Sequence, residues 1–319
     1  MRLIIKSYYV LIYKIFISLL MKRLKITICL CTYRRHHLLG KLLSELIKQK
    51  NDALYSFNII VVDNDKIMSA ENVINATKTV SDIEIRYFHE PFRNISLARN
   101  KAVKNADGDL LAFIDDDEVP SPNWLATLAR CYINNSCDGV LGPVIPRFIV
   151  PPPSWILKSG LFDRSNPPTG TVISTNDLRT GNALLKRELF IEDINPFNPN
   201  LGRTGGEDVE FFTRMVKKGY KFIWCREAAV FELIPKERMT IGYHLMRGIN
   251  RGRARSIIDP FLSLPTLRSL LAILVYFFLL PFCLIGGFAL FNSYLIKLCD
   301  HSGRLFGHFL RFLGLDIEK

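Results

Sequence analysis

Apolar runs of strand length alternate with segments of helical spacing along the first 120 residues. Residues 25–33, KITICLCTY, are a near-continuous apolar run, and residues 37–49, HLLGKLLSELIKQ, space their leucines along one helix face. Residues 57–64, FNIIVVDN, are a second apolar run ending in an acid and an amide, and residues 83–90, IEIRYFHE, alternate as a third strand. A helix closed by glycine is expected over 95–108, ISLARNKAVKNADG, and a fourth strand over 109–118, DLLAFIDDDE. Strands alternating with helices predict an α/β fold with a mostly parallel central sheet covered on both faces. Ligands of such sheets bind beyond the carboxyl ends of the strands. Here those ends read CTYRR at 31–35, Asp63-Asn64-Asp65, and Asp115-Asp116-Asp117. Polar chemistry therefore converges on one sheet edge.

Beyond Pro120 the pattern loosens. Residues 143–155, PVIPRFIVPPPSW, and 163–170, DRSNPPTG, read as Pro-rich irregular connections, 180–190 as strand into helix, and 222–235 as a further apolar strand region. Residues 205–220, GGEDVEFFTRMVKKGY, read as a loop into an amphipathic helix, with Val209, Phe212, Met215 and Val216 on one face and Gly219 at its end.

Two segments point toward a membrane. Residues 1–20 are apolar but interrupted by Lys6 and Lys14, and they lack a small-residue cleavage site. They are either an amphipathic surface anchor or an extension ahead of a start at Met21. Residues 269–291 carry no charge and are long enough to cross a bilayer once, as a kinked helix or, broken at Pro281 or Gly286-Gly287, as a shallow hairpin. A buried core helix is the alternative. Arg247, Arg251, Arg253, Arg255 and Arg268 precede the segment and outnumber the basic residues that follow, which places the main domain on the cytoplasmic side. The expected organisation is an N-terminal extension or anchor over 1–20, a catalytic domain over 21–260, and a membrane-associated helical segment with a tail over 261–319.

Composition narrows this picture little. With 49% hydrophobic and 23% charged residues the chain can bury a large core and is not disordered. Its net charge of +12 suits nucleic acid, anionic lipid or phosphorylated ligands without choosing among them. The seven cysteines include no CxxC pair, so buried free thiols are favoured over a metal site.

The acids at 115–118 need a reason to sit together. A D-x-D pair at a strand end suits Mg²⁺ or Mn²⁺, which takes one or two carboxylates plus phosphate oxygens; the alternative is an acidic turn in solvent. In CTYRR, Thr32, Tyr33, Arg34 and Arg35 have the chemistry to bond or stack on a base and to pair with phosphate, or they are an ordinary strand end. Asn94 and Ser96 can cap a helix whose first turns carry Arg99 and Asn100. Glu207 and Asp208 sit at a helix start, where either serves as a general base if a hydroxyl is within reach, or simply as an N-terminal charge. Arg247, Arg251 and Arg255 recur at four-residue spacing, as a face for anionic headgroups or a solvated basic face.

Taken together, ICLCTYRR, IIVVDN, NISLARN, LAFIDDDEVP, TGNALL and GGEDVEFFTRMVKKG resemble, in order, the motifs of the family-2 inverting glycosyltransferases of bacterial surface polysaccharide and lipopolysaccharide synthesis, over roughly residues 24–235. The resemblance implies a GT-A fold, a nucleotide-diphospho-sugar donor and a Mg²⁺ or Mn²⁺ cofactor. It also implies a glycan or lipid-linked acceptor at the cytoplasmic face of the inner membrane. Carried over by position, Thr32, Tyr33 and Arg35 would line the nucleotide pocket, Asp63 would accept from the base, and Arg99 would approach the nucleotide or its phosphates. Asp115 would touch ribose or metal, Asp117 would hold the metal, and Asp208 would be the base, with Glu207 orienting the acceptor. The Q-x-x-R-W motif of processive members is missing; MRGINRGRAR stands there instead, which implies one sugar per encounter. A nucleotidyltransferase would need a glycine-rich loop where CTYRRHHLLG stands, and a nucleic acid would be repelled by the acidic edge; neither is expected as the function.

Overall fold

The computed structural model describes residues 23–173 and 177–315, so the expectation for residues 1–20 lies outside the described residues. The first half runs β1 (Leu24–Thr32), α1 (His36–Leu46), β2 (Tyr55–Asp63), α2 (Glu71–Lys78), β3 (Ile85–His89), α3 (Ile95–Asn105) and β4 (Leu110–Ile114). It continues with β5 (Glu118–Pro120), α4 (Trp124–Ile133), β6 (Gly139–Leu141), β7 (Val144–Phe148), α5 (Ser154–Ser159) and β8 (Asn182–Lys186). The chain ends with α6 (Glu207–Lys217), β9 (Phe222–Trp224), β10 (Val230–Ile234), α7 (Ile241–Ile258), α8 (Leu264–Ile285) and α9 (Phe288–Phe312).

Seven strands form the central sheet in the order β3-β2-β1-β4-β8-β6-β9. β1 runs parallel to both β2 and β4, and only β8 runs against its neighbours. The expected α/β architecture is present. The apolar runs are continuous rather than alternating because both sheet faces are covered. Ile26, Ile28 and Leu30 pack toward Leu39, Leu42, Leu43 and Leu46 of α1, while Cys29, Leu111 and Phe113 meet Ala98 and Ala102 of α3 and Phe211, Phe212 and Met215 of α6. Burying each large side chain contributes about 1.5–3 kcal/mol. All seven cysteines are free.

Three expectations change. Residues 143–155 are not wholly irregular: β7 lies there and pairs in parallel with β10 in a small second sheet, β5-β10-β7. Pro146 masks the strand, and it is tolerated because β7 is an edge strand of that sheet. The helix expected after β8 is a single 3₁₀ turn, Arg187–Phe190. The region 222–235 is two strands, β9 and β10, serving different sheets.

The apolar segment 269–291 breaks at its glycine pair. α8 ends at Ile285, Gly287 takes φ +99°, and α9 returns antiparallel, with Tyr276 against Tyr294 and Thr266 bonded to His308. α9 also runs alongside α7 in the same direction, through glycines on both helices. A Cβ at Gly252 would lie 2.0 Å from Asp300 O, and one at Gly303 would lie 2.3 Å from Ile249 O. The backbones therefore nearly touch, the geometry that small residues four apart permit. Gly252→Val is expected to cost more than the 1–3 kcal/mol of ordinary overpacking, because backbone cannot yield as a side chain can. Limited proteolysis of the 259–263 linker, faster in the variant than in the parent, checks this.

Candidate active site

Parallel pairing of β1 with β4 brings CTYRR beside the acidic turn. Thr32 Oγ1 donates to Asp116 Oδ2 at 2.8 Å. Arg35, just ahead of α1, donates through Nη1 to Asp116 Oδ1 at 3.0 Å and Asp117 Oδ2 at 3.2 Å. Arg238, on the turn between β10 and α7, donates to Asp117 Oδ2 at 2.7 Å and to Glu232 Oε1 at 2.8 Å. Glu118 folds back so that its Oε2 accepts the Asp115 N–H at 3.0 Å. Burial, followed by the charge of Asp115, pushes Glu118 well above the usual carboxylate range. Four adjacent acids are thus tolerable: arginines face them, and burial shifts one of the four toward its neutral form.

The second half of the site is the start of α6. Gly205 and Gly206 take φ +83° and +95°, a left-handed pair that glycine adopts without strain. They deliver Glu207 and Asp208 to the first helical turn. Glu207 is buried against the Arg99 guanidinium, which also donates to Asp115 Oδ1 at 3.2 Å. Burial pushes Glu207 up to about 7 against the opposing pull of Arg99. Burial disfavours the charged form of Arg99, but Glu207, Asp115 and Asp208 outweigh it and raise its pKa. Glu207 Oε2 has no hydrogen-bond partner among the described residues. Asp208 is partly exposed, and its Oδ1 accepts the Val209 N–H at 2.8 Å.

Asn94 ties the halves together. Its Oδ1 caps α3 by accepting the Leu97 N–H at 3.1 Å, and its Nδ2 donates to Pro199 O at 2.8 Å in the loop leading to α6. Gly202 packs so closely on Asn94 that no Cβ fits.

Between these groups lies a cavity of about 700 Å³. Thr32, Tyr33, Arg35, Arg99, Asp115 and Asp117 line it. Arg93 lies 4.8 Å over the Tyr33 ring. Asp63 does not reach the wall; fully buried, its Oδ2 accepts from Ala70 N–H at 2.7 Å and Tyr87 OH at 3.0 Å, and its neighbour Asn64 lines the cavity. Glu207, paired with Arg99, and Asp208 beside it are not among the lining residues. Cys31 is also on the wall, where burial pushes its thiol up to about 12 and leaves it a poor nucleophile.

Sequence reasoning did not single out Arg238, Glu232, Tyr243 or Arg93. Arg238 and Glu232 lie upstream of the arginines read as a headgroup face, and no periodicity links them, since a turn brings them together. Arg251 and Arg255, expected to face headgroups or solvent, both bond Asp300 Oδ2 of α9, at 3.1 and 3.0 Å. Arg247 does line the cavity.

Among the described residues no three His, Cys, Asp or Glu side chains gather as a metal cluster. Asp115 and Asp117 nevertheless offer hard oxygen donors that fit Mg²⁺ or Mn²⁺, provided substrate phosphates and waters complete the shell.

Comparison with known proteins identifies the family. The profile of glycosyl transferase family 2 matches residues 27–193. The succinoglycan biosynthesis protein ExoM of Rhizobium meliloti is 35% identical over 233 residues, covering 72% of this chain and 74% of that protein. A glucosyl-dolichyl phosphate glucuronosyltransferase of Haloferax volcanii is 23% identical over 248 residues, covering 74% and 78%. Among solved structures, the mannosyltransferase PcManGT of Pyrobaculum calidifontis, in complex with GDP-Man and Mn²⁺, superposes with a TM-score of 0.60 at 17% identity, covering 92% of this chain and 88% of that one. TarS 1-349 of S. aureus in complex with UDP gives 0.52 at 14% identity, covering 91% and 92%. On the family profile and the 35% identity to ExoM, the chain belongs to glycosyl transferase family 2 and is a glycosyltransferase.

Proposed function

We propose that the enzyme transfers one sugar per encounter, with inversion, from a nucleotide-diphospho-sugar to a hydroxyl of a lipid-linked or glycan acceptor in cell-surface polysaccharide synthesis. The observation that carries this reading is the Arg99 bridge. One buried guanidinium holds both Asp115 of the acidic edge and Glu207 at the start of α6, so donor-side and acceptor-side groups stand one side chain apart. Tyr33 and Arg93 offer a stacking surface for the base, and Arg35 and Arg238 supply charge for the diphosphate. Asp208, partly exposed beside Glu207, takes the proton from the attacking hydroxyl. Glu207, paired with Arg99, orients the acceptor through that guanidinium. Asp115 and Asp117 would hold Mg²⁺ or Mn²⁺, which supplies neutralisation of charge on the leaving diphosphate. Asp63 acts at a distance from the base, by fixing the end of β2. The enzyme works at the cytoplasmic face of the membrane, with the catalytic domain over 21–260 and the hairpin after it as the anchor.

Burial, ahead of the neighbouring acids and against Arg99, raises the Asp115 pKa to about 6, although the side chain opens to the cavity on one side. An upward shift means the proton is kept to higher pH, so the carboxylate needed for a cation is lost as pH falls through that value. Mn²⁺-dependent donor affinity is therefore expected to be flat above pH ~6.5 and to drop about tenfold per unit below about 5.5. Calorimetry across that range checks it, and Asp115→Asn removes the dependence.

The deciding experiment is calorimetric titration of the full-length protein in detergent with UDP-, GDP- and dTDP-sugars, with and without Mn²⁺. Metal-dependent binding of one nucleotide class supports the reading and names the donor class. Absence of binding to all of them overturns the assignment of this cavity as a donor site.

A further inference from the structure

We propose that α8 lies in the plane of the membrane, its outer face sunk among headgroups and upper acyl chains, and does not cross the bilayer. The proposal rests on the reading that the hairpin meets lipid, and it sets how. By length alone α8 passes as a span: its 22 residues, 18 of them in a run of mean hydropathy 2.2, reach about 33 Å, and a hydrocarbon core is about 30 Å thick. What excludes a crossing is the partner helix. α9 runs beside α8 and would have to enter the bilayer with it, bringing Lys297, Asp300, His301, Arg304 and His308. Each charged side chain at the centre costs about 2.5–3.5 kcal/mol or more.

Those groups already have partners that hold α9 to the globular body. Asp300 pairs with Arg251 and Arg255 of α7, and glycines 248, 252, 303 and 307 bring the two backbones together. α8 is pinned in turn to α9. Arg304 Nη1 donates to Pro265 O at 2.6 Å and Ser269 Oγ at 3.2 Å, and His301 Nδ1 lies 3.0 Å from Ser269 Oγ. At the other end of α8, Phe288 follows the turn and packs near Trp155 of α5. Swinging α8 out alone would strand these buried polar groups.

The outer side of α8 is left open and apolar: Leu271, Leu274, Phe278, Phe282 and Ile285 are each more than half exposed. Its surroundings select lipid over a second copy of the chain. α7, α8 and α9 carry eight Lys and Arg; Arg251 and Arg255 pair with the buried Asp300 and Arg304 with Asp259 of the linker, while Arg268 and Lys297 stand exposed beside the apolar face. Two such rims repel each other, whereas anionic headgroups complement them.

The test uses full-length Leu274→Trp and Ile285→Trp, substitutions at exposed positions, floated with phosphatidylethanolamine–phosphatidylglycerol vesicles. Bromines sit either near the headgroup end or near the tail end of the acyl chains. The expected result is that both added tryptophans lose most of their fluorescence to the shallow bromines and little to the deep ones. Replacing Arg268 and Lys297 by Gln should weaken partitioning by roughly thirtyfold, at about 1 kcal/mol per charge. Strong quenching of Trp at 274 by deep bromines, with 285 shallow, means a crossing helix and overturns the in-plane proposal while leaving the membrane reading standing. Failure to float, or self-association that hides both positions, overturns the lipid reading itself.

Discussion

Asp208→Asn is expected to lower turnover about 10²–10⁴-fold, the usual range for loss of a general base, while donor binding stays close to that of the parent. Asparagine keeps the size of the side chain, and its carbonyl oxygen can still accept the Val209 N–H at the helix start. It cannot take a proton from an attacking hydroxyl. Because Asp208 is not among the residues lining the cavity, nucleotide affinity is the internal control. Steady-state kinetics alongside calorimetry separates the two effects. Turnover within a few-fold of the parent would move the base elsewhere, and the adjacent Glu207 would be the next to test.

The largest effect on stability is expected from Arg99→Leu. The substitution leaves Glu207, 5% exposed, as a buried carboxylate without its cation, and removes the cation facing Asp115. Breaking a buried pair from one side typically costs about 3–5 kcal/mol. Arg99→Leu combined with Glu207→Leu should recover much of that, since an apolar pair of similar volume has no charge to desolvate. Both variants should be inactive. Urea unfolding of the two single variants, the double and the parent gives the coupling directly. A double variant no more stable than Arg99→Leu would mean that packing around Phe197, over which the guanidinium lies, and not charge, sets the cost.

Much of the fold is legible in the sequence because the central strands are buried on both sides. Ile26 to Leu30 and Ile59 to Val62 read as unbroken apolar runs, and nothing else of that length and flanking composition suits them. The acidic edge is legible for the opposite reason, since four adjacent acids, Asp115 to Glu118, at the end of such a run call for opposing charge. Glycines 205 and 206 ahead of two acids mark the start of α6. Other features depend on contacts between distant segments. Arg238 meets Asp117 only because β10 pairs with β5, 121 residues of chain away. α4 goes unread behind Pro120 and Pro122 although Trp124, Leu125 and Leu128 have helical spacing. Arg251 and Arg255 look like a free basic stripe until α9 places Asp300 between them. A periodic pattern identifies a face but not what lies against it.

α7 belongs to two structures at once. Near its start Tyr243 and Arg247 form part of the cavity wall, and further along Gly252 and Ser256 carry the hairpin. From Arg247 to Ser256 is about 14 Å at 1.5 Å per residue. On the proposed seating of the hairpin, this rod would work as a fixed gauge that holds the proposed base at one altitude above the lipid. The proposed acceptor would then be measured as well as recognised: its hydroxyl would have to stand at that altitude, so the length of glycan already built would become part of the specificity.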